Sequence, residues 1–146
     1  MSLSNLVGTS LDEVAPSRET IGRLLAAARR QLADANASGV SAETRFGAAY
    51  SAIRMIADAG LNAHGLRTLT SRPGHHQTSV QSLAQTFGIS TETVIALDAL
   101  RKQRHRVEYT GDVIPESTVA ECIGEAEALL AAALAWLRGN KPDLAP

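Results

Sequence analysis

The chain has 146 residues, 45% of them hydrophobic, enough for one domain that buries roughly 70% of the surface exposed by the unfolded chain. Lys and Arg number 14 against 15 Asp and Glu, a net charge of -1, which excludes a surface built throughout for nucleic acid but leaves room for a local basic patch. The single cysteine, Cys122, excludes an intramolecular disulfide and suits a reducing compartment.

The opening MSLSNLVGTS has neither the basic n-region nor the apolar run of a secretory signal. It shows no firm period, so residues 1–15 are expected to form a flexible arm. Aromatics are only 3% and alanine is abundant, a composition suited to close-packed helices. Pro16-Ser17-Arg18-Glu19 starts the first helix, with Ile21, Leu24, Leu25, Ala28 and Leu32 at helical spacing. It fades near Asn36 to Gly39. Ser41 caps the second helix, Glu43 lies in its first turn, and Phe46, Ala49, Tyr50, Ile53, Ile56, Ala57 and Leu61 form the inner stripe to about His64.

Gly65 to Gly74 reads as a loop carrying Arg67 and Arg72. A short third helix spans His76 to Phe87 and is closed by Gly88, with Val80, Leu83, Ala84 and Phe87 inward. Ser90-Thr91-Glu92-Thr93 starts the fourth helix, Thr91 to Tyr109, which Thr110-Gly111-Asp112 ends. The last helix begins at Pro115-Glu116 and turns Val119, Cys122, Ile123, Ala126, Leu129, Leu130, Ala133 and Leu137 inward before Gly139. No segment longer than five residues alternates with period two. The expected fold is all-α, an antiparallel up-and-down bundle of about five helices over residues 16–139, with a flexible tail at 140–146. The longest apolar run, Ala128 to Leu137, is ten residues and too short to span a bilayer, so the chain is expected to be cytoplasmic with no membrane partner.

The densest chemistry is RKQRHRVEY, Arg101 to Tyr109, where Arg101, Lys102, Arg104, His105 and Arg106 crowd six positions. The inward stripe Val94, Leu97, Leu100 and Val107 carries Arg104 onto the buried face. An arginine there needs a charged or hydrogen-bonding partner. Glu108, four residues on, is one candidate, and Arg101 sits at the edge of the same face. Two readings stay open for Arg104, a structural ion pair or a line into a functional cleft. Lys102, His105 and Arg106 read as a solvated basic flank. Elsewhere, adjacent His75 and His76 diverge by about 100° on a helix and cannot share a metal from that element. No Glu-x-x-His pair, glycine-rich phosphate loop or G-x-S-x-G elbow occurs. Cys122 reads as an inert buried thiol, and Tyr50 as a core residue whose hydroxyl needs a partner. These residues alone define no enzyme class.

Three stretches carry a resemblance: AAYSAIRMIADAGLNAHGLR, RPGHHQTSVQSL and LDALRKQRHRVEYTGDVIPESTVAECIGEAEALL. Over roughly Pro16 to Trp136 the chain resembles the HEPN superfamily of small helical, nucleotide-binding domains. The family signature is an arginine followed after four to six residues by a histidine at the end of the fourth helix. The resemblance puts Arg104 at the arginine and Tyr109 where the histidine would stand. In nuclease members the pair is similar to a metal-independent ribonuclease site. A tyrosine of pKa about 10 is a poor base at neutral pH. The resemblance therefore implies a non-catalytic module that binds a nucleotide or RNA phosphate through Arg101, Arg104, Tyr109 and His76, without metal or cofactor. It further implies a homodimer and a possible minimal nucleotidyltransferase partner. The enzyme alternative is a toxin-type endoribonuclease with catalytic candidates Arg104, Tyr109 and His105, in which His105 or His76 supplies the missing base. The third alternative is a structural subunit that binds only protein.

Overall fold

The computed structural model describes residues 2–71 and 73–146; Arg72, read above with Arg67 as part of a basic loop, lies outside the described residues. Among the described residues six α-helical segments follow in order: α1 (Arg18–Ala35), α2 (Ala42–Ala63), α3 (His75–Gln81), α4 (Leu83–Thr86), α5 (Thr91–Thr110) and α6 (Glu116–Asn140). The fold is an all-α bundle with one small accessory sheet. Three long helices start on serine caps. The hydroxyls of Ser17, Ser41 and Ser90 accept the backbone N–H of Thr20, Thr44 and Thr93 at 3.1, 3.2 and 3.2 Å. Each cap satisfies a donor the helix leaves unpaired and contributes about 1 kcal/mol.

Helix α2 is the axis of the molecule, buried around most of its circumference by residues from Phe46 to Ala63. α1 runs antiparallel to it. At one end Ser17 N donates to Asn62 Oδ1 at 2.9 Å, and at the other Arg45 Nε donates to Ala35 O at 2.9 Å. α6 runs parallel to α2, because Arg45 pairs with Glu116 at their N-terminal ends and His64 meets Trp136 at their C-terminal ends. α5 is antiparallel to both, with Arg104 in its second half lying against Gly47 and Tyr50 near the start of α2. The up-and-down alternation thus belongs to four long helices.

The expected third helix is present as two short segments, α3 and α4, that form a bent connector. It breaks at Ser82, whose Oγ donates back to Ser79 O at 2.7 Å, a local bond that competes with regular helix geometry. Gly88 then closes the connector with a left-handed φ of 67°.

Two expectations about the ends are corrected. The N-terminal segment is not a loose arm: β1 (Leu11–Glu13) pairs antiparallel with β2 (Leu66–Thr68), which lies inside the expected loop. Leu11 is fully buried with Leu61 and Leu66, a satellite cluster that Leu3 and Leu6 cover. The tail turns through a short 3-10 helix, Pro142–Leu144, and tucks Ala145 into the main core. Both segments are held by apolar contacts to residues distant in sequence.

The main core joins the inner faces of α1, α2 and α6 with Val80, Leu83 and Phe87 of the connector. On α6 the buried set is Val119, Cys122, Ile123, Ala126, Leu129, Ala133 and Leu137, as the period requires, with Leu130 partly covered. α5 is different. Among its described residues only Leu97 and Leu100 are buried, and Ile95 stands 65% exposed. Its second half leans on the bundle through Val107, partly buried against the core, and through the arginines Arg101 and Arg104. Among the described residues no helix is long and apolar enough to cross a membrane.

Candidate anion-binding cleft

A cleft of about 460 Å³ lies between α2 and the second half of α5, and the first turn of α3 closes the end. Helix periodicity supplies its walls. On α2, Ser51, Arg54 and Asp58 follow at steps of three and four, a polar stripe on an otherwise apolar helix, and the first two line the cleft beside Tyr50. On α5, Arg101, Arg104, His105 and Glu108 face it, and His75 and His76 approach from α3.

Each arginine is held by a carboxylate. Arg101 Nε donates to Asp98 Oδ1 at 2.8 Å, Arg104 Nη2 lies 3.0 Å from Glu108 Oε1, and Arg54 Nη1 lies 3.4 Å from Asp58 Oδ2. Of these acids only Glu108 lines the cleft; Asp98 and Asp58 hold their arginines from outside its lining. The lining is therefore rich in cations. Asp58 also accepts a 2.7 Å hydrogen bond from Ser79 Oγ, and burial raises its carboxyl above the usual range against the pull of that bond and of Arg54.

Tyr50 is 1% exposed, and its Oη has no hydrogen-bond partner among the described residues. Burial lifts this phenol to about 12, outweighing the opposing pull of Arg101, Arg54 and Arg104. It is a permanent donor at neutral pH. The Arg104 guanidinium carbon lies 5.5 Å from the centroid of the same ring, a cation–π arrangement. His76 is pulled down to about 4, by burial first and then by the charges of His75, Arg54 and Arg104. It stays neutral at pH 7, with one ring nitrogen donating and the other accepting.

The sequence-derived set is partly gathered here. Arg101, Arg104, His76 and His105 all line the cleft. Tyr109 does not: it is 79% exposed and stacks outside against His105, ring centroids 4.6 Å apart. The reason is helical geometry, since five residues carry it about 140° around α5 from Arg104, whereas Glu108 is displaced by only about 40°. The tyrosine that meets Arg104 is Tyr50, from α2. The 30% exposed Arg104 side chain is ion-paired and forms a cleft wall at once. Sequence reasoning missed Arg54 altogether and took Tyr50 only as core. The signal was the Ser51–Arg54–Asp58 stripe, where polar residues interrupt a helix buried nearly all round.

Cys122 is buried and its thiol is raised to about 12, chiefly by burial, as an inert core cysteine should be. Among the described residues no group of three His, Cys, Asp or Glu is placed to hold a metal. In comparisons with known protein families, curated proteins and solved structures, the chain matches none.

Proposed function

We propose that the chain is a non-catalytic phosphate-binding module of HEPN type, which captures a phosphate group of a nucleotide or RNA in the cleft between α2, α3 and α5. The observation that carries this reading is convergence. Arg54, Arg101 and Arg104 line one 460 Å³ cleft together with Tyr50, whose buried hydroxyl has no partner among the described residues. Guanidinium groups are donors only, a neutral phenol can donate its O–H, and the oxygens of a phosphate dianion are acceptors only. Neutral His76 adds a further donor without adding charge.

Two observations favour binding over RNA cleavage. The residue standing in the place of the family histidine, Tyr109, points outside the cleft. His76, at about 4, is a weak base for a reaction near neutral pH. The reading includes a homodimer, for which Ile95, Tyr109 and Val113 offer exposed apolar contact, and a minimal nucleotidyltransferase as a partner.

Calorimetric titration with inorganic phosphate and pyrophosphate at low ionic strength tests the site. Both should bind, and Arg101→Ala or Arg104→Ala should weaken them about tenfold or more, the value of one charge-assisted hydrogen bond. Glu108→Gln should tighten them, because it removes the acid that lines the cleft and occupies Arg104. No binding at millimolar anion would overturn the proposal and favour the protein-only subunit. Metal-independent RNA cleavage that vanishes in Arg104→Ala would replace it with the endoribonuclease.

A further inference from the structure

Next to the cleft lies a second cavity, about 580 Å³, between the turn after α1, the first turns of α2 and the last turns of α5. Ser51, Arg104 and Glu108 line both cavities, so the two spaces meet at the Arg104 side chain. Arg104 lies directly over Gly47, where even a Cβ would stand 3.5 Å from Nε. The second cavity differs in chemistry. Phe46, Ala48 and Val107 give it apolar walls, and its charged lining apart from Arg104 is acidic: Asp34, Glu43 and Glu108.

That contrast selects a ligand. A polynucleotide running from one space into the other would place its next phosphate among carboxylates, which costs like-charge repulsion. Nor does a net charge of -1 provide an extended basic track. A small molecule with one anionic end and an uncharged organic remainder meets neither obstacle. We infer that cleft and groove form a single bipartite site for a small phosphate monoester, with the phosphate on Arg101 and Arg104 and the uncharged organic group against Phe46, Ala48 and Val107. This inference rests on the phosphate-binding reading and narrows it from a nucleic-acid chain to a compact monoester. Arg104 is the hinge of the site, bound to the phosphate on one side and roofing the apolar pocket on the other.

Titration of the full chain with four probes tests it: inorganic phosphate, phenyl phosphate, adenosine 5′-monophosphate and an RNA hexanucleotide with hydroxyl ends. Phenyl phosphate and adenosine 5′-monophosphate should bind about tenfold or more tighter than inorganic phosphate, because the organic group adds buried apolar area. The hexanucleotide should bind more weakly than either. Ala48→Met, an uncharged change on the groove wall, should erase the advantage of the monoesters over inorganic phosphate. If inorganic phosphate binds but the monoesters bind no tighter, the bipartite site is wrong while the phosphate cleft stands. A hexanucleotide that outcompetes both monoesters also overturns it, in favour of a strand-binding surface. If inorganic phosphate itself fails to bind, the underlying reading falls first.

Discussion

Tyr50 lines a helix-walled cleft, and its buried phenolic hydroxyl has no partner among the described residues. A buried hydroxyl with no hydrogen bond costs about 1–3 kcal/mol, so for stability alone phenylalanine would serve better at this position. Tyr50→Phe should therefore melt no lower than the parent, while its affinity for inorganic phosphate falls. A destabilised Phe variant with unchanged phosphate affinity would make the hydroxyl a structural group. His76 offers a second measurement. Its ordinary value of 6.5 drops to about 4 in the folded chain, so between those limits the unfolded chain binds more protons. The stability it contributes is present above about 6.5 and is lost as pH falls toward 4. Asp58, whose pKa is raised, works in the opposite sense, its cost fading as acid protonates it. A comparison of parent with His76→Gln isolates the histidine: the variant should lose less stability from pH 7 to 4, read as a smaller drop in the urea midpoint. Parallel pH profiles would refute the assignment.

At the scale of the element, α2 joins fold to site. Its length is fixed by the Ser41 cap and its burial by apolar residues on nearly every side. Gly60 marks the tightest approach. A Cβ there would stand 2.7 Å from Thr86 Oγ1 and 2.8 Å from Phe87 Cε2, and that ring is held against Trp136. Gly60→Ala should cost about 1–3 kcal/mol through overpacking, despite recovering up to about 1 kcal/mol of helix propensity. A variant as stable as the parent would mean that the connector yields freely. Local signals were legible in the sequence wherever cause and effect lie within one turn: the serine caps at 17, 41 and 90, the α6 stripe, and the placement of Arg104 on the inner side of α5. Linear spacing misled where azimuth mattered, as it did for Tyr109. The pairing of Leu11 with Thr68 was illegible for another reason, since each strand is three residues long and its partner lies more than fifty residues away. Arg54 was hidden because a cleft lined by three helices leaves only a fragment of its pattern on each.

The whole molecule combines a firm three-helix core with a helix that is held more lightly. α1, α2 and α6 supply most of the apolar interior, whereas α5 adds only Leu97 and Leu100 to it, with Val94 and Val107 partly buried and the arginines facing the cleft. Elements with few buried apolar contacts open at lower free energy than the core around them. Backbone amides from Arg101 to Val107 should therefore exchange with solvent faster than those from Ile53 to Leu61 at the centre of α2. A phosphate in the cleft would touch Arg54 from α2 and Arg101 and Arg104 from α5, adding a tie between the lightly packed helix and the buried one. By linkage, an anion that binds only when α5 is docked stabilises that docked state by RT ln(1 + [L]/Kd), about 2.7 kcal/mol at one hundred times Kd. Saturating adenosine 5′-monophosphate should then slow exchange in the second half of α5 far more than in α6, which lines no part of the cleft. Mass-spectrometric exchange on the full chain, with and without ligand, reads this directly. Protection that is uniform across the bundle, or confined to α6, would place the ligand elsewhere. Loss of the α5 protection in Arg104→Ala would tie the effect to the one side chain that borders both cavities.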